Sequence, residues 1–256
     1  MNTVKIAYEG RTARIELNRP DVLNAMDGEM LSELLAAFKE VRDSDADILV
    51  ISGAGRGFSS GGDIKSMLSD MDQSAFSSVM HTISQMILEL YTMPKLTISA
   101  VHGAAAGLGF SLALASDHII AHETAILSMN FIGIGLIPDG GGHFFMEKRL
   151  GETKAKHMIW EGRRLSSEEA LQAGLIDQMA AGDMRSAVEE KVSEWLEKPV
   201  AAMIETKRIF TSRSAGNLEA ILSLETSSQY KMRQTGDHKE GISSFLEKRQ
   251  PQFTGN

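Results

Sequence analysis

Two stretches of small residues in this chain could do chemistry. Gly57-Phe58-Ser59-Ser60-Gly61-Gly62-Asp63-Ile64-Lys65 and Val101-His102-Gly103-Ala104-Ala105-Ala106-Gly107-Leu108-Gly109-Phe110 each place unhindered backbone after a run that reads as buried strand and before one that reads as helix. Glycine lets main-chain N–H groups approach a ligand closely. One such group from each loop, aimed at one oxygen, would stabilise negative charge developing there. Either loop alone could be no more than a tight turn; the pair, behind consecutive buried strands, favours a site. Two other patterns are weaker. Gly57-x-Ser59-x-Gly61 matches the nucleophile elbow of serine hydrolases, but Ser59 lies several residues past the strand end, whereas an elbow joins strand to helix directly. His118 and His122 are four apart, yet no Glu follows His118 and the segment reads as strand, so the zinc-protease pattern fails and core or edge histidines are the better reading.

The elements that must carry these loops follow from hydrophobic period. Val4, Ile6 and Tyr8 alternate with Lys5 and Ala7, Glu9-Gly10-Arg11 turns, and Ala13, Ile15 and Leu17 alternate again, which predicts a hairpin ended by Asn18-Arg19-Pro20. Asp27 can cap a helix with Met30, Leu31, Leu34, Leu35, Phe38 and Val41 on one face. Residues 47–52 read as a buried strand, 74–91 as a helix broken by Met93-Pro94, and 96–101 as a second buried strand. The 103–109 loop runs into a helix over 110–115; strands are predicted at 117–121 and 125–129. A third glycine-rich stretch, 133–142, opens a helix from about Gly140 to Leu150. Ser166 and Glu169 fit a capping box for a helix that stops before Gly174. Beyond Asp183 the period is helical, with Pro199 the main break. Strands thus alternate with helices to about residue 180, and a helical appendage follows.

Composition excludes several classes. The chain has 256 residues, 43% hydrophobic and 23% charged, an ordinary globular balance for one large domain or one with an appendage. With 0 Cys there is no disulfide framework, thiolate metal site or cysteine nucleophile. No apolar run is long enough to span a bilayer, and MNTVKIAYEG lacks the features of a signal peptide, so a cytoplasmic location is expected. The net charge is -8 and Lys and Arg are scattered, which argues against nucleic acid as the main partner; a small anionic ligand needs only a few local cations.

Ser60-Gly61-Gly62-Asp63-Ile64-Lys65 and His102-Gly103-x3-Gly107-x-Gly109 resemble the two signature loops of the crotonase (enoyl-CoA hydratase/isomerase) superfamily, and Gly135-Leu136-Ile137-Pro138-Asp139-Gly140-Gly141 resembles its third. Leu23-Asn24-Ala25-Met26, the segment 165–175 and the ending 240–249 extend the likeness over nearly the whole chain in order. The resemblance implies an α/β fold, a spiral of ββα units over 1–195 with a helical trimerisation region over 196–256. It also implies a coenzyme A thioester as substrate and a homotrimer or dimer of trimers. Its oxyanion-hole amides correspond to Gly62 and Leu108. Substrate contacts fall on Ala25, Met26, Ser60, Gly61, Asp63, Ile64, Lys65, Gly107, Ser111, Phe131 and Pro138, although a solvated Lys65 is an equal reading. No metal or redox cofactor is implied, because the amides meet the enolate charge; coenzyme A is part of the substrate.

The acid–base residues must be read singly. The two glutamates of enoyl-CoA hydratases correspond to Ser111 and Phe131, neither of which transfers a proton at neutral pH. Asp139 corresponds to the single acid of enoyl-CoA isomerases of the peroxisomal type, and the Gly-Leu-Ile-Pro-Asp segment with Pro251-Gln252-Phe253-Thr254-Gly255 resembles the isomerases of bacterial phenylacetate degradation. One carboxylate could move a double bond from C3 to C2 by taking a proton from C2 and returning it at C4. Ile134, Ile137, Phe144 and Phe145 are expected to raise its pKa. Alternatively Asp139 caps the helix beginning at Gly140, and His143 either tunes it or is simply exposed. The isomerase reading is preferred; a hydratase-type lyase with a non-standard acid, or a silent acyl-CoA- or RNA-binding family member, are the alternatives. In the tail, Leu218, Ile221, Leu222, Leu224 and Glu225 are expected to pack between protomers.

Overall fold

The computed structural model describes residues 2–63 and 72–256. Ile64 and Lys65 lie outside them. In chain order the strands are β1 (Val4–Glu9), β2 (Thr12–Leu17), β3 (Ile48–Gly53), β4 (Leu96–Val101), β5 (Ala104–Ala106), β6 (His118–His122), β7 (Ile126–Ser128), β8 (Arg164–Ser166) and β9 (Gln178–Ala180). The helices are α1 (Gly28–Asp43), α2 (Gln73–Thr92), α3 (Leu108–Leu114), α4 (Gly142–Leu150), α5 (Glu152–Glu161), α6 (Ser167–Ala173), α7 (Met184–Leu196), α8 (Val200–Met232) and α9 (Gly236–Glu247).

The hairpin β1–β2 is antiparallel, with Val4 opposite Leu17 and Glu9 opposite Thr12. The remaining strands of this sheet join in parallel, in the order β1-β2-β3-β4-β6-β9; a smaller sheet, β5-β7-β8, stands beside it. Parallel strands joined by helices are covered on both faces and read as unbroken apolar runs. All six residues of β4 are buried, and β3 shows how the faces divide. Leu49 and Ile51 enter the main core with α1 and α2, whereas Ile48 and Val50 join Leu96, Ile98 and Ile120 under Val188 and Val192 of α7 and Val200 of α8. The helical tail therefore begins as the cover of one sheet face.

Caps behave as their residue types dictate. Asp27 accepts the Met30 N–H at 3.0 Å at the start of α1, and Ser166 with Glu169 closes a reciprocal capping box at α6. Three short strands, β5, β8 and β9, and helix α5 are not evident from the period. The strands are three residues each, too short for alternation to register.

The tail differs from expectation in one respect. Leu218, Leu222 and Glu225, expected between protomers, are buried against their own chain, 0%, 2% and 2% exposed, because α8 packs along α2. Leu224, by contrast, is 65% exposed. Among the described residues no helix is long and apolar enough to cross a membrane.

Candidate active site

The two glycine-rich loops meet. Ser59 bridges to Ala105 and Met26 to Gly62, so the first loop is held between the α1 approach and β5. Asn24, wholly buried, does much of the holding: its side-chain amide donates to the carbonyls of Ala54 (2.9 Å), Gly57 (2.8 Å) and Phe58 (3.1 Å), while its Oδ1 accepts the Arg19 N–H (2.9 Å). Ser59 is also fully buried, donates to the Asn24 carbonyl at 2.8 Å and accepts from the Gly61 N–H at 3.1 Å. It is a loop staple whose hydroxyl, among the described residues, bonds only to backbone, which does not support the nucleophile reading.

Gly61 is where the loops touch. Its φ is +93°, and a Cβ there would lie 2.6 Å from the Ala106 carbonyl oxygen and 3.3 Å from the Leu108 nitrogen. No side chain fits, so the backbones of the two loops come into direct contact. In its bridge to Met26, Gly62 is flanked by the bonds Met26 N–H to Gly61 O (2.8 Å) and Asp63 N–H to Met26 O (3.0 Å), which turns Gly62's own N–H to the other side. Leu108 opens α3, two residues earlier than the period predicts, and as a first-turn residue its N–H has no intrahelical acceptor. Among the described residues neither amide donates to any protein acceptor. Gly62 and Leu108 line the same cavity, together with Met26, Leu31, Asp63, Phe76, Val79, Met80, Ile83, Leu136, Asp139, Gln229 and Arg233.

Asp139 reaches this cavity through an unusual turn. Gly140 and Gly141 both have positive φ, +61° and +75°, and α4 begins only at Gly142. A Cβ on Gly140 would come within 2.5 Å of Leu108 Cδ1, so the third loop is pressed against the second. The cap of α4 is Gly141, with no side-chain bond; Asp139 is not a helix cap. Its side chain turns inward, 7% exposed, with Oδ2 accepting from Gln229 Nε2 at 3.4 Å and Oδ1 buried without a partner among the described residues. Burial pushes its carboxyl up to about 8, and the nearby Glu225 carboxylate adds to the rise. The apolar surroundings were expected from Ile134, Ile137, Phe144 and Phe145. The cavity walls come from Leu108, Leu136 and α2, and Phe144 and Phe145 pack on Tyr91.

Of the remaining predicted residues, Met26 and Asp63 face the cavity, and Asp63 pairs with Arg19 at 3.2 Å. Ala25, Ser60, Gly61, Gly107, Ser111, Phe131 and Pro138 are not part of its lining. Ser111 is fully buried and donates to the backbone carbonyl of Asp139 at 2.8 Å, tying α3 to the acid's turn. A Cβ on Gly142 would lie 3.1 Å from the Ser111 hydroxyl, so this glycine packs closely on the Ser111 side chain. Phe131 is buried, its ring beneath Gly107. Both hydratase-type positions are thus filled by groups that pack. The sequence reading missed Gln229, Arg233 and the α2 wall, and placed Glu225 at an interface. The spacing 218, 222, 225, 229 is one helical face on which two polar residues follow two leucines, and that interruption was the available signal. His143 is neither idle nor free: its Nδ1 meets Glu225 Oε1 at 2.8 Å. His118 and His122 lie on β6, as read. Among the described residues no cluster of three or more His, Asp or Glu side chains could hold a metal ion.

The model of the enoyl-CoA hydratase/isomerase family matches residues 8–256. The chain is 51% identical over 253 residues to YhaR of Bacillus subtilis (strain 168), whose name gives both enoyl-CoA hydratase and isomerase, with 99% of each chain covered. It is 35% identical over 246 residues to the 1,2-epoxyphenylacetyl-CoA isomerase of Escherichia coli (strain K12), covering 94% of each. A crystal structure of an enoyl-CoA hydratase from Mycobacterium avium subsp. paratuberculosis K-10 superposes with a TM-score of 0.89 at 28% identity, covering 98% of each chain. The chain belongs to the enoyl-CoA hydratase/isomerase family and carries the crotonase fold.

Proposed function

We propose that this enzyme is an enoyl-CoA isomerase that shifts a double bond with Asp139 as its single acid–base group. The observation that supports this best is the division of labour among carboxylates at the cavity. Asp63 is paired with Arg19, whereas Asp139 has an oxygen without a partner among the described residues and a pKa near the operating range of a proton shuttle. The hydratase-type positions hold Ser111 and Phe131, which supply no second carboxylate.

The thioester oxygen of the substrate accepts from the N–H groups of Gly62 and Leu108, and the acyl chain lies along Met26, Phe76, Val79, Met80, Ile83 and Leu136. Ionised Asp139 takes a proton from C2 of a 3-enoyl thioester. The electron pair moves through the carbonyl to give a dienolate, whose oxyanion the two amides stabilise. Protonated Asp139 then delivers the proton to C4, leaving the double bond between C2 and C3. No atom is gained or lost, and the acid returns to its starting state.

The pH dependence tests this. The free enzyme is competent only when Asp139 is ionised, so kcat/KM should rise about tenfold per pH unit below about 8 and level off above it. A profile flat from pH 6 to 9 would remove Asp139 as the base. The assembly is proposed to be a trimer or dimer of trimers, supported by the exposed Ile209, Phe210 and Leu224 of α8 and Phe245 and Leu246 of α9; a monomeric mass by light scattering would contradict it.

A further inference from the structure

Glu225 has more to do than fill the core. It is 2% exposed and accepts three bonds: the Gly141 N–H at 2.8 Å, the His143 N–H at 3.2 Å and His143 Nδ1 at 2.8 Å. Those two residues are the ones immediately after the Asp139-Gly140 turn and at the start of α4. One helical turn on, Gln229 Nε2 donates to the Ile137 carbonyl at 2.6 Å and to Asp139 Oδ2 at 3.4 Å. Two successive turns of α8 therefore grip both flanks of the turn that carries the acid.

An uncharged Gln at 225 would still offer an oxygen to the Gly141 amide, without the cost of burying a charge. The charge itself therefore calls for an explanation, and its neighbour supplies one. A carboxylate beside Asp139 disfavours a second negative charge there and so makes Asp139 the stronger base. We propose that Glu225 is a positioning residue for Asp139, fixing its turn through Gly141 and His143 and raising its basicity by charge. This rests on reading Asp139 as the acid–base group. Among the described residues, the other charged or titratable groups at the cavity or on Glu225 are His143 from α4, Arg233 from α8 and Asp63 from the first loop, and α2 presents apolar side chains there. Arg233 and Asp63 are common to wild type and variant, so their contributions cancel in a comparison.

The test is Glu225→Gln, read by carbon-13 NMR titration of labelled Asp carboxyls, with the Asp139 signal assigned by its loss in Asp139→Asn. The wild-type midpoint is expected near 8, and Glu225→Gln should lower it by on the order of one pH unit. The acid limb of kcat/KM should move down with it, while Glu225→Asp, which keeps the charge, should hold the midpoint closer to wild type. An unmoved midpoint in folded Glu225→Gln overturns the proposal. If Glu225→Gln does not fold, the wild-type titration still bears on it: a midpoint in the ordinary carboxylate range overturns the proposal. The NMR reading needs no turnover, so a shifted midpoint in a protein that fails to isomerise would sink the isomerase reading and leave the coupling standing.

Discussion

Asp139→Asn is expected to cut isomerisation by about a hundredfold to ten-thousandfold, the usual worth of a positioned acid–base group, with folding and thioester binding close to wild type. Asn matches Asp in shape and still offers an oxygen to Gln229 Nε2, which stands 3.4 Å from Oδ2. It is neutral, as Asp139 itself mostly is below a pKa of about 8, so the buried site need not rearrange to hold it. Loss of a helix cap cannot account for a fall in rate, since Gly141 caps α4 and Asp139 makes no capping bond. Steady-state kinetics beside a thermal melt would check this. An Asp139→Asn variant with wild-type kcat would leave the family membership intact and remove the chemistry proposed for this site.

Gly62→Pro should be the next most damaging change, costing roughly 3 kcal/mol of transition-state stabilisation, a hundredfold or more in kcat. Proline deletes one N–H that, among the described residues, serves no protein acceptor. The bonds that seat the loop, from Met26 N–H to Gly61 O and from Asp63 N–H to Met26 O, belong to its neighbours and remain. KM should change much less than kcat, since the amide is worth most when the oxygen carries charge. Unchanged turnover in a folded variant would exclude Gly62 as a donor. The same result would leave Leu108, whose amide is left open by its place at the start of α3, to stabilise the oxyanion alone.

What could be read beforehand followed from local rules. The hairpin, α1 with its Asp27 cap, the buried runs of β3 and β4, and the Ser166 capping box all declare themselves within a dozen residues. The three glycine-rich loops were legible too, because only glycine tolerates the φ of +93° and the 2.6 Å approach found at Gly61. The start of α4 was misplaced by two residues: Gly140 and Gly141 adopt positive φ where Leu108 and Leu218 leave no room for a side chain, an arrangement that no local pattern records. The cavity walls were illegible for the same reason. Phe76, Met80 and Ile83 lie in a segment that read only as helix, and Gln229 stands 90 residues from the Asp139 it contacts. The rise in the pKa of Asp139 was foreseen in direction as an effect of burial, but the contribution of Glu225 needed the packing of α8 on α4 to be seen.

The central claim is most directly tested by giving the wild-type enzyme a 3-enoyl-CoA and, separately, a 2-enoyl-CoA in water, and following both by product analysis. The account predicts conversion of the 3-enoyl to the 2-enoyl thioester, with little or no hydration of the second substrate. Rapid hydration of the 2-enoyl thioester with the 3-enoyl thioester untouched would contradict it.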